Sequence, residues 1–271
     1  MNFTFFQEII SFIPEIFFSI SLCFFLLFCS LFSTNHTSYF KKTFIFQKVC
    51  FWVSIQLLFL TLILTLNSQA NFSILFYGSL TYDFISFFGK AFILLFTIAI
   101  LIVSKEYLKN NNFFNFEFFI IFLISTLAII LIVDSCDLIS FYLALELQAL
   151  SFYILSTFKK ESAFSTEAGL KYFIIGAFSS GFFLFGCSLI YGFSGTTNYF
   201  ILKDLFFLQN DINNFLYLYL GFSFIIISFL FKLGAAPFHI WILDVYEGSP
   251  TSSTIFFAVI PKIAMFSVFL R

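Results

Sequence analysis

Hydrophobic residues form eight long runs along the chain, separated by short polar segments. Each run has about 18 residues or more, and a helix of that length, rising about 1.5 Å per residue, crosses roughly 30 Å of hydrocarbon. A backbone surrounded by lipid must satisfy its own hydrogen bonds, so we expect the runs to be membrane-spanning helices. The predicted helices are residues 9–32, 43–66, 82–103, 114–133, 138–158, 170–191, 218–243 and 254–270. The expected fold class is therefore an all-α integral membrane protein.

The lysines between the helices predict how the bundle lies in the membrane, because the side from which a chain inserts retains most loop lysines. The loops after the second, fourth and sixth helices contain a single lysine, Lys203. The longest loop, residues 192–217, is too short for a soluble domain. The loops after the first, third and fifth helices contain Lys41, Lys42, Lys48, Lys105, Lys109, Lys159 and Lys160. We therefore expect these odd-numbered loops on the matrix or cytoplasmic side, and both ends of the chain on the opposite side.

The seventh run is too long and too irregular to be one simple helix. Its 26 residues would extend about 39 Å, and Pro237 lies inside it. Proline cannot donate a hydrogen bond to the carbonyl of Leu233, and Gly234 weakens the same turn. We predict a break between Lys232 and His239. Broken backbone at membrane depth is tolerated where it is buried in protein or lines a wet cavity, and in transporters it commonly marks the ion site.

The composition excludes several classes of protein. Hydrophobic residues make up 61% of the chain and charged residues 10%, with a mean hydropathy of +1.04, which excludes an ordinary soluble domain. The balance of 13 basic and 14 acidic residues argues against nucleic acid as a partner. Five scattered cysteines and two histidines predict neither a metal site nor a redox centre in this chain. The 51 phenylalanines indicate a gene from an organellar or otherwise AT-rich genome, and no targeting peptide is visible.

Three charged residues fall deep inside the predicted helices, where an isolated charge costs at least ~2.5 to 3.5 kcal/mol. Glu146 lies near the middle of the fifth helix, Lys232 beside the predicted break, and Lys262 at the centre of the eighth helix. One carboxylate cannot neutralise two lysines. Two unit charges ~10 Å apart at an effective dielectric of ~20 interact by about 1.7 kcal/mol, so a movement of Glu146 could change the protonation of Lys232. This pattern predicts proton transfer along lysines.

A structural role is the alternative for each of these residues. The three could form buried ion pairs that only hold helices together. Lys171, near the start of the sixth helix, fits either the proton path or an anchor that reaches the membrane surface. We expect Lys90, in the third helix, to be an anchor that reaches the membrane surface, because no buried acidic partner is evident.

Four blocks, residues 143–151, 164–186, 231–241 and 244–251, resemble the antiporter-like subunits of complex I. The resemblance implies a 14-helix subunit built from two inverted five-helix repeats, each with a broken helix and a key lysine. Glu146, Lys232 and Lys262 match the family's proton-path residues, and Lys171 falls in a block that adds it to the same path. Gly234, Pro237 and His239 fall in the broken helix.

The resemblance covers only the first eight of those helices. We expect residues 1–110 to form a three-helix segment and residues 111–271 the first repeat, with the second repeat missing and a second polypeptide supplying it. The other implied partners are membrane-arm subunits of complex I and lipids. The resemblance also implies that this chain holds no cofactor, and that NADH, FMN, iron–sulfur clusters and ubiquinone bind to other subunits.

The expected function is that of a subunit of a proton-translocating NADH:ubiquinone reductase, which contributes a proton half-channel and no covalent chemistry. The expected location is the mitochondrial inner membrane. Two alternatives stay open: a subunit of a stand-alone cation/proton antiporter, and a structural helix bundle.

Overall fold

The helices dominate a computed structural model that describes residues 9–34, 40–68, 72–111, 113–208 and 212–271. Eight helices in these ranges are long and apolar enough to cross a membrane, which confirms the predicted multi-pass fold. The ten α-helices are α1 Ile13–Thr34, α2 Phe40–Asn67, α3 Phe84–Asn110, α4 Phe116–Asp134, α5 Leu138–Ser156, α6 Ala163–Ser194, α7 Tyr199–Leu208, α8 Ile212–Leu233, α9 Ile240–Gly248 and α10 Thr251–Leu270. The two strands, β1 Ser73–Leu75 and β2 Leu80–Tyr82, pair antiparallel.

Several predicted boundaries were wrong. The sixth spanning helix begins at Ala163 rather than at residue 170, because the Ser162 hydroxyl accepts a hydrogen bond from the backbone N–H of Ser165 and caps the helix. The predicted loop 192–217 contains the short helix α7. The hairpin β1–β2 lies between α2 and α3, where its three-residue strands are too short to give a hydrophobic pattern.

The turn of this hairpin is hydrogen-bonded to two other segments at one end of the bundle. The carbonyl of Gly78 accepts a hydrogen bond of 2.6 Å from Asn198 Nδ2, and the carbonyl of Ser79 accepts one of 3.0 Å from the N–H of Cys136. Gly78 has φ +88°, and a Cβ there would lie 2.7 Å from Asn198 Nδ2. Glycine is therefore required at this turn, both by its backbone conformation and by the close approach of Asn198. The turn joins the α4–α5 connection to the segment before α7.

The predicted break of the seventh spanning helix is confirmed. Helix α8 ends at Leu233, and the chain resumes helical structure at Ile240 after a cis Ala236–Pro237 peptide bond. Gly234 has φ +68°, its N–H bonds to the carbonyl of Phe231, and the next N–H bonds to the carbonyl of Leu230. This pair of bonds is the Schellman ending of a helix, which places glycine at the left-handed position.

Close contacts hold α8 against its neighbours. Gly186 of α6 faces Gly221 of α8 so closely that a Cβ on Gly186 would lie 2.7 Å from the Gly221 carbonyl oxygen. Small residues permit such approaches between membrane helices. The ring of Phe229 in α8 packs 5.3 Å from that of Phe141 in α5 and 6.0 Å from that of Phe183 in α6. The helix that carries Glu146 is thus packed beside the broken helix.

Candidate functional site

The broken helix carries one predicted lysine and binds the other. Lys232 lies in the last turn of α8, where a cation interacts favourably with the partial negative charge of a helix C-terminus. Lys262, from α10, donates a hydrogen bond from Nζ to the carbonyl oxygen of Leu233, the last residue of α8. The end of a helix leaves carbonyls without intrahelical donors. The last turn of α8 therefore carries Lys232 and its last carbonyl binds Lys262, and both lysines are half-buried.

The Phe231 carbonyl at this end also has donors. It accepts a hydrogen bond of 3.0 Å from Trp241 Nε1, in addition to the N–H of Gly234. The protein itself thus supplies donors to the broken end of the helix, as a membrane interior requires. His239 is exposed and stands directly before α9 without a side-chain capping bond.

Glu146 acts on Lys232 without touching it. It is half-buried in the middle of α5, and its charge interacts electrostatically with Lys232. In the part of the chain that the structure describes, no ion pair within 4.0 Å joins Glu146 to Lys232 or to Lys262. Within the described residues, Glu146 and Lys232 are therefore close enough to interact but are not locked into a salt bridge.

An aromatic stack that the sequence did not indicate lies between Glu146 and the break. The ring of Tyr172 stacks on that of Trp241 at 5.0 Å and 8°, and Tyr153 meets Tyr172 edge-on at 5.0 Å. Gly176 gives the Tyr153 hydroxyl its room, because a Cβ at 176 would collide with it. Tyr153 also interacts electrostatically with Glu146. The stack connects α5 and α6 to α9, and so fixes the half-helix after the break.

Lys171 lies apart from this arrangement. Its ammonium bonds to Asp244 at 2.7 Å and to Glu167 at 2.9 Å, and 42% of its side chain is exposed. The bond to Asp244 ties α6 to α9. A role in the proton path stays a prediction for Lys171.

The expectation for Lys90 was wrong. Its side chain is fully buried, with Nζ 2.6 Å from Glu15 Oε1 and 3.0 Å from Asp134 Oδ1, and it lies 4.3 Å from the centre of the Tyr82 ring. The carboxylates come from α1 and α4, whose ends meet the start of α3 at the same end of the bundle. Lys90 is therefore an interior ion-pair residue rather than a surface anchor.

A neighbouring ion pair joins the end of α10 to the start of α3. Arg271 binds both carboxylate oxygens of Asp83, at 2.9 and 3.2 Å, and donates to the carbonyls of Val133 and Ser135. Burial alone would raise the pKa of Asp83, but the hydrogen bonds from Arg271 and from the N–H of Ser86 hold it below its ordinary value.

Metal-binding groups are not found among the described residues, where no three His, Cys, Asp or Glu side chains are grouped for an ion. Two buried thiols, Cys29 in α1 and Cys50 in α2, have their sulfur atoms 3.7 Å apart.

Comparison with known proteins shows the family to which the chain belongs. Residues 135–271 match the sequence profile of the family described as "NADH:quinone oxidoreductase/Mrp antiporter, TM". The chain belongs to this family. Chain 2 of NADH-ubiquinone oxidoreductase from Marchantia polymorpha is 42% identical over 225 residues, which are 81% of this chain and 46% of that protein. Subunit N of NADH-quinone oxidoreductase from Pelagibacter ubique is 40% identical over 261 residues, 96% of this chain and 52% of that protein.

A chain of a solved structure has the same fold. The match lies in respiratory complex I from Thermus thermophilus, with a TM-score of 0.73 and 25% identity, and covers 93% of this chain and 52% of the other. The present chain spans about half the length of the relatives that it matches. The matched family region begins just before α5 and includes Glu146 and the whole break.

Proposed function

We propose that the chain is a membrane-arm subunit of respiratory complex I, equivalent to the first part of subunit 2, and that it contributes a proton half-channel. The observation that carries this proposal is the hydrogen bond from Lys262 to the broken end of α8, whose last turn carries Lys232, which interacts electrostatically with Glu146. Relatives named as complex I subunits, at 40% and 42% identity, support the assignment to that complex.

In this proposal the lysines exchange protons and Glu146 controls the exchange. A carboxylate near a desolvated lysine favours the charged form, and its withdrawal favours release of the proton. Because Glu146 forms no salt bridge with Lys232 within the described residues, its distance can change at little cost. Lys262 binds the Leu233 carbonyl and is the next proton carrier. Lys171, with its bonds to Asp244 and Glu167, is the entry group on this path.

The redox chemistry belongs, in this proposal, to other subunits that bind NADH, FMN, iron–sulfur clusters and ubiquinone. The partners of this chain, in this proposal, are the other membrane-arm subunits and lipids. The mitochondrial relative and the AT-rich composition favour the mitochondrial inner membrane and an organellar gene.

A stand-alone cation/proton antiporter is the second candidate, because the family description names the Mrp antiporter beside the quinone oxidoreductase. The protein composition of the particle that purifies with this chain distinguishes the two candidate functions. Co-purification of NADH dehydrogenase peptides with this chain is expected for complex I, and a particle without them would contradict it.

The mechanism is tested by Lys232→Met in the assembled complex, reconstituted into vesicles. We expect the complex to assemble while the number of protons pumped per NADH falls, because the variant removes a proton carrier beside the break. Lys203→Met, which changes an exposed lysine of α7, serves as the control and should pump normally. Normal pumping by Lys232→Met would favour the structural helix bundle instead.

A further inference from the structure

The buried ion cluster of Glu15, Lys90 and Asp134 does not balance its charges. Only 5% of Glu15, 0% of Lys90 and 2% of Asp134 is exposed. Two carboxylates share one ammonium, so with both acids ionised the cluster carries a net charge of −1. Isolated buried charge is strongly unfavourable, and a buried group commonly changes its protonation state instead.

The surrounding groups do not supply the missing positive charge. The charged or titratable side chains that interact with the cluster within the described ranges are Tyr82 and Arg271. The Arg271 guanidinium is already bonded to both oxygens of Asp83. The Tyr82 hydroxyl forms its hydrogen bond with Ser68, and its ring faces Lys90. Counting these neighbours still leaves one carboxylate without a counter-charge.

The hydrogen bonds show the same deficit independently. Lys90 donates to Glu15 Oε1 at 2.6 Å and to Asp134 Oδ2 at 3.3 Å. Glu15 Oε2 is buried and accepts no hydrogen bond from the described residues, whereas Asp134 Oδ1 has only the ion-pair contact of 3.0 Å with Lys90 Nζ. Buried polar atoms without partners are uncommon in folded proteins, and each one indicates a group that has not been counted.

We propose that the Glu15–Lys90–Asp134 cluster is a proton-binding site, in which the two carboxyl groups together hold one proton. Binding converts one carboxylate and a proton into a carboxylic acid, which removes the excess charge and turns an acceptor oxygen into a donor. A proton fits this place better than a metal cation, because the Lys90 ammonium lies within 3.0 Å of both carboxyl groups and would repel any other cation.

Infrared difference spectroscopy of the purified complex, exchanged between H₂O and D₂O at neutral pH, tests the proposal. Glu15→Gln and Asp134→Asn should each lose the signal of one protonated carboxyl group, because the remaining acid ionises and pairs with Lys90. The matched control is Glu117→Gln, which changes an exposed carboxylate at the other end of α4 and should lose no such signal.

Unchanged carboxyl absorption in both cluster variants would overturn the proposal. Failure of both variants to assemble would overturn it as well, since each leaves a neutral cluster and neutrality is the proposed native state. The result is independent of proton pumping at the broken helix, because the cluster lies on α1, α3 and α4 and the carboxyl signal is read without turnover.

Discussion

A lysine that caps a helix end inside the membrane combines a structural contact with a titratable group, and Lys262 allows the two to be separated. Lys262→Met leaves the Leu233 carbonyl without its donor, so we expect a loss of about 1–3 kcal/mol in stability together with loss of pumping. Lys262→Arg keeps a donor and the positive charge but cannot release a proton. We expect that variant to retain most of the thermal stability and to pump no protons. Pumping by Lys262→Arg would exclude Lys262 as a proton carrier.

The pair of Asp83 and Arg271 makes the stability of the α3–α10 contact dependent on pH. The pKa of Asp83 is lower in the folded chain than in the unfolded one. Its contribution is therefore fully present above the unfolded pKa and is lost as the pH falls through the folded pKa. Asp83→Asn keeps a capping residue but loses the charge-assisted bonds, which contribute about 1.5–3 kcal/mol. Thermal unfolding of the complex should show that Asp83→Asn is less stable than the parent chain near neutral pH but not in acid. A loss of stability that is the same at both pH values would contradict this.

Residue-level reasoning identified the charges near the break but misjudged Lys90. The sequence places Lys90 close to the start of the third helix, Glu15 close to the start of the first and Asp134 at the end of the fourth. Because successive helices cross in alternate directions, these three positions lie at the same depth. Comparing the charged residues of all helices by their depth in the membrane would have predicted that these three side chains interact. Considering only the position of Lys90 within its own helix could not predict this, because its partners come from other helices.

At the element scale the break was predictable because both of its causes are local. Gly234 supplies the left-handed residue, and Pro237 cannot continue a helix. The aromatic stack of Tyr153, Tyr172 and Trp241 was not predictable, since it depends on how three helices meet. Periodicity shows which segments are helical, while such contacts depend on tertiary packing.

Gly234 has two separate reasons to be glycine. Its φ of +68° is unfavourable for any residue with a Cβ, and that Cβ would also collide with Ile242 Cδ1. We expect Gly234→Ala to cost more than the roughly 1–2 kcal/mol of a left-handed residue. Gly195→Ala is the matched control, because its φ is +72° and no atom lies within 4 Å of a Cβ there. Equal losses of thermal stability in the two variants would mean that contact with Ile242 contributes nothing.

Across the whole molecule, two sets of buried charge have opposite imbalances. Around the break, Lys232 interacts with Glu146 while Lys262 binds a carbonyl, so one carboxylate accompanies two lysines, whereas at the other site Lys90 contacts two carboxylates. No ion pair joins the two sets within the described parts of the chain. Each set must therefore compensate its own charge, and in a membrane interior the exchange of a proton is the least costly way.

The orientation of the whole bundle is predicted by its loop lysines and can be measured. Lys160, in the exposed α5–α6 connection, belongs to the lysine-rich side, whereas the fully exposed Tyr77 lies in the hairpin on the opposite side. In mitochondria stripped of the outer membrane, a charged, membrane-impermeant maleimide should label Tyr77→Cys directly and Lys160→Cys only after permeabilisation. The parent chain, with its own five cysteines, gives the background labelling. The reverse order of labelling would place the lysine-rich loops on the intermembrane side and would invert the direction of the proposed half-channel.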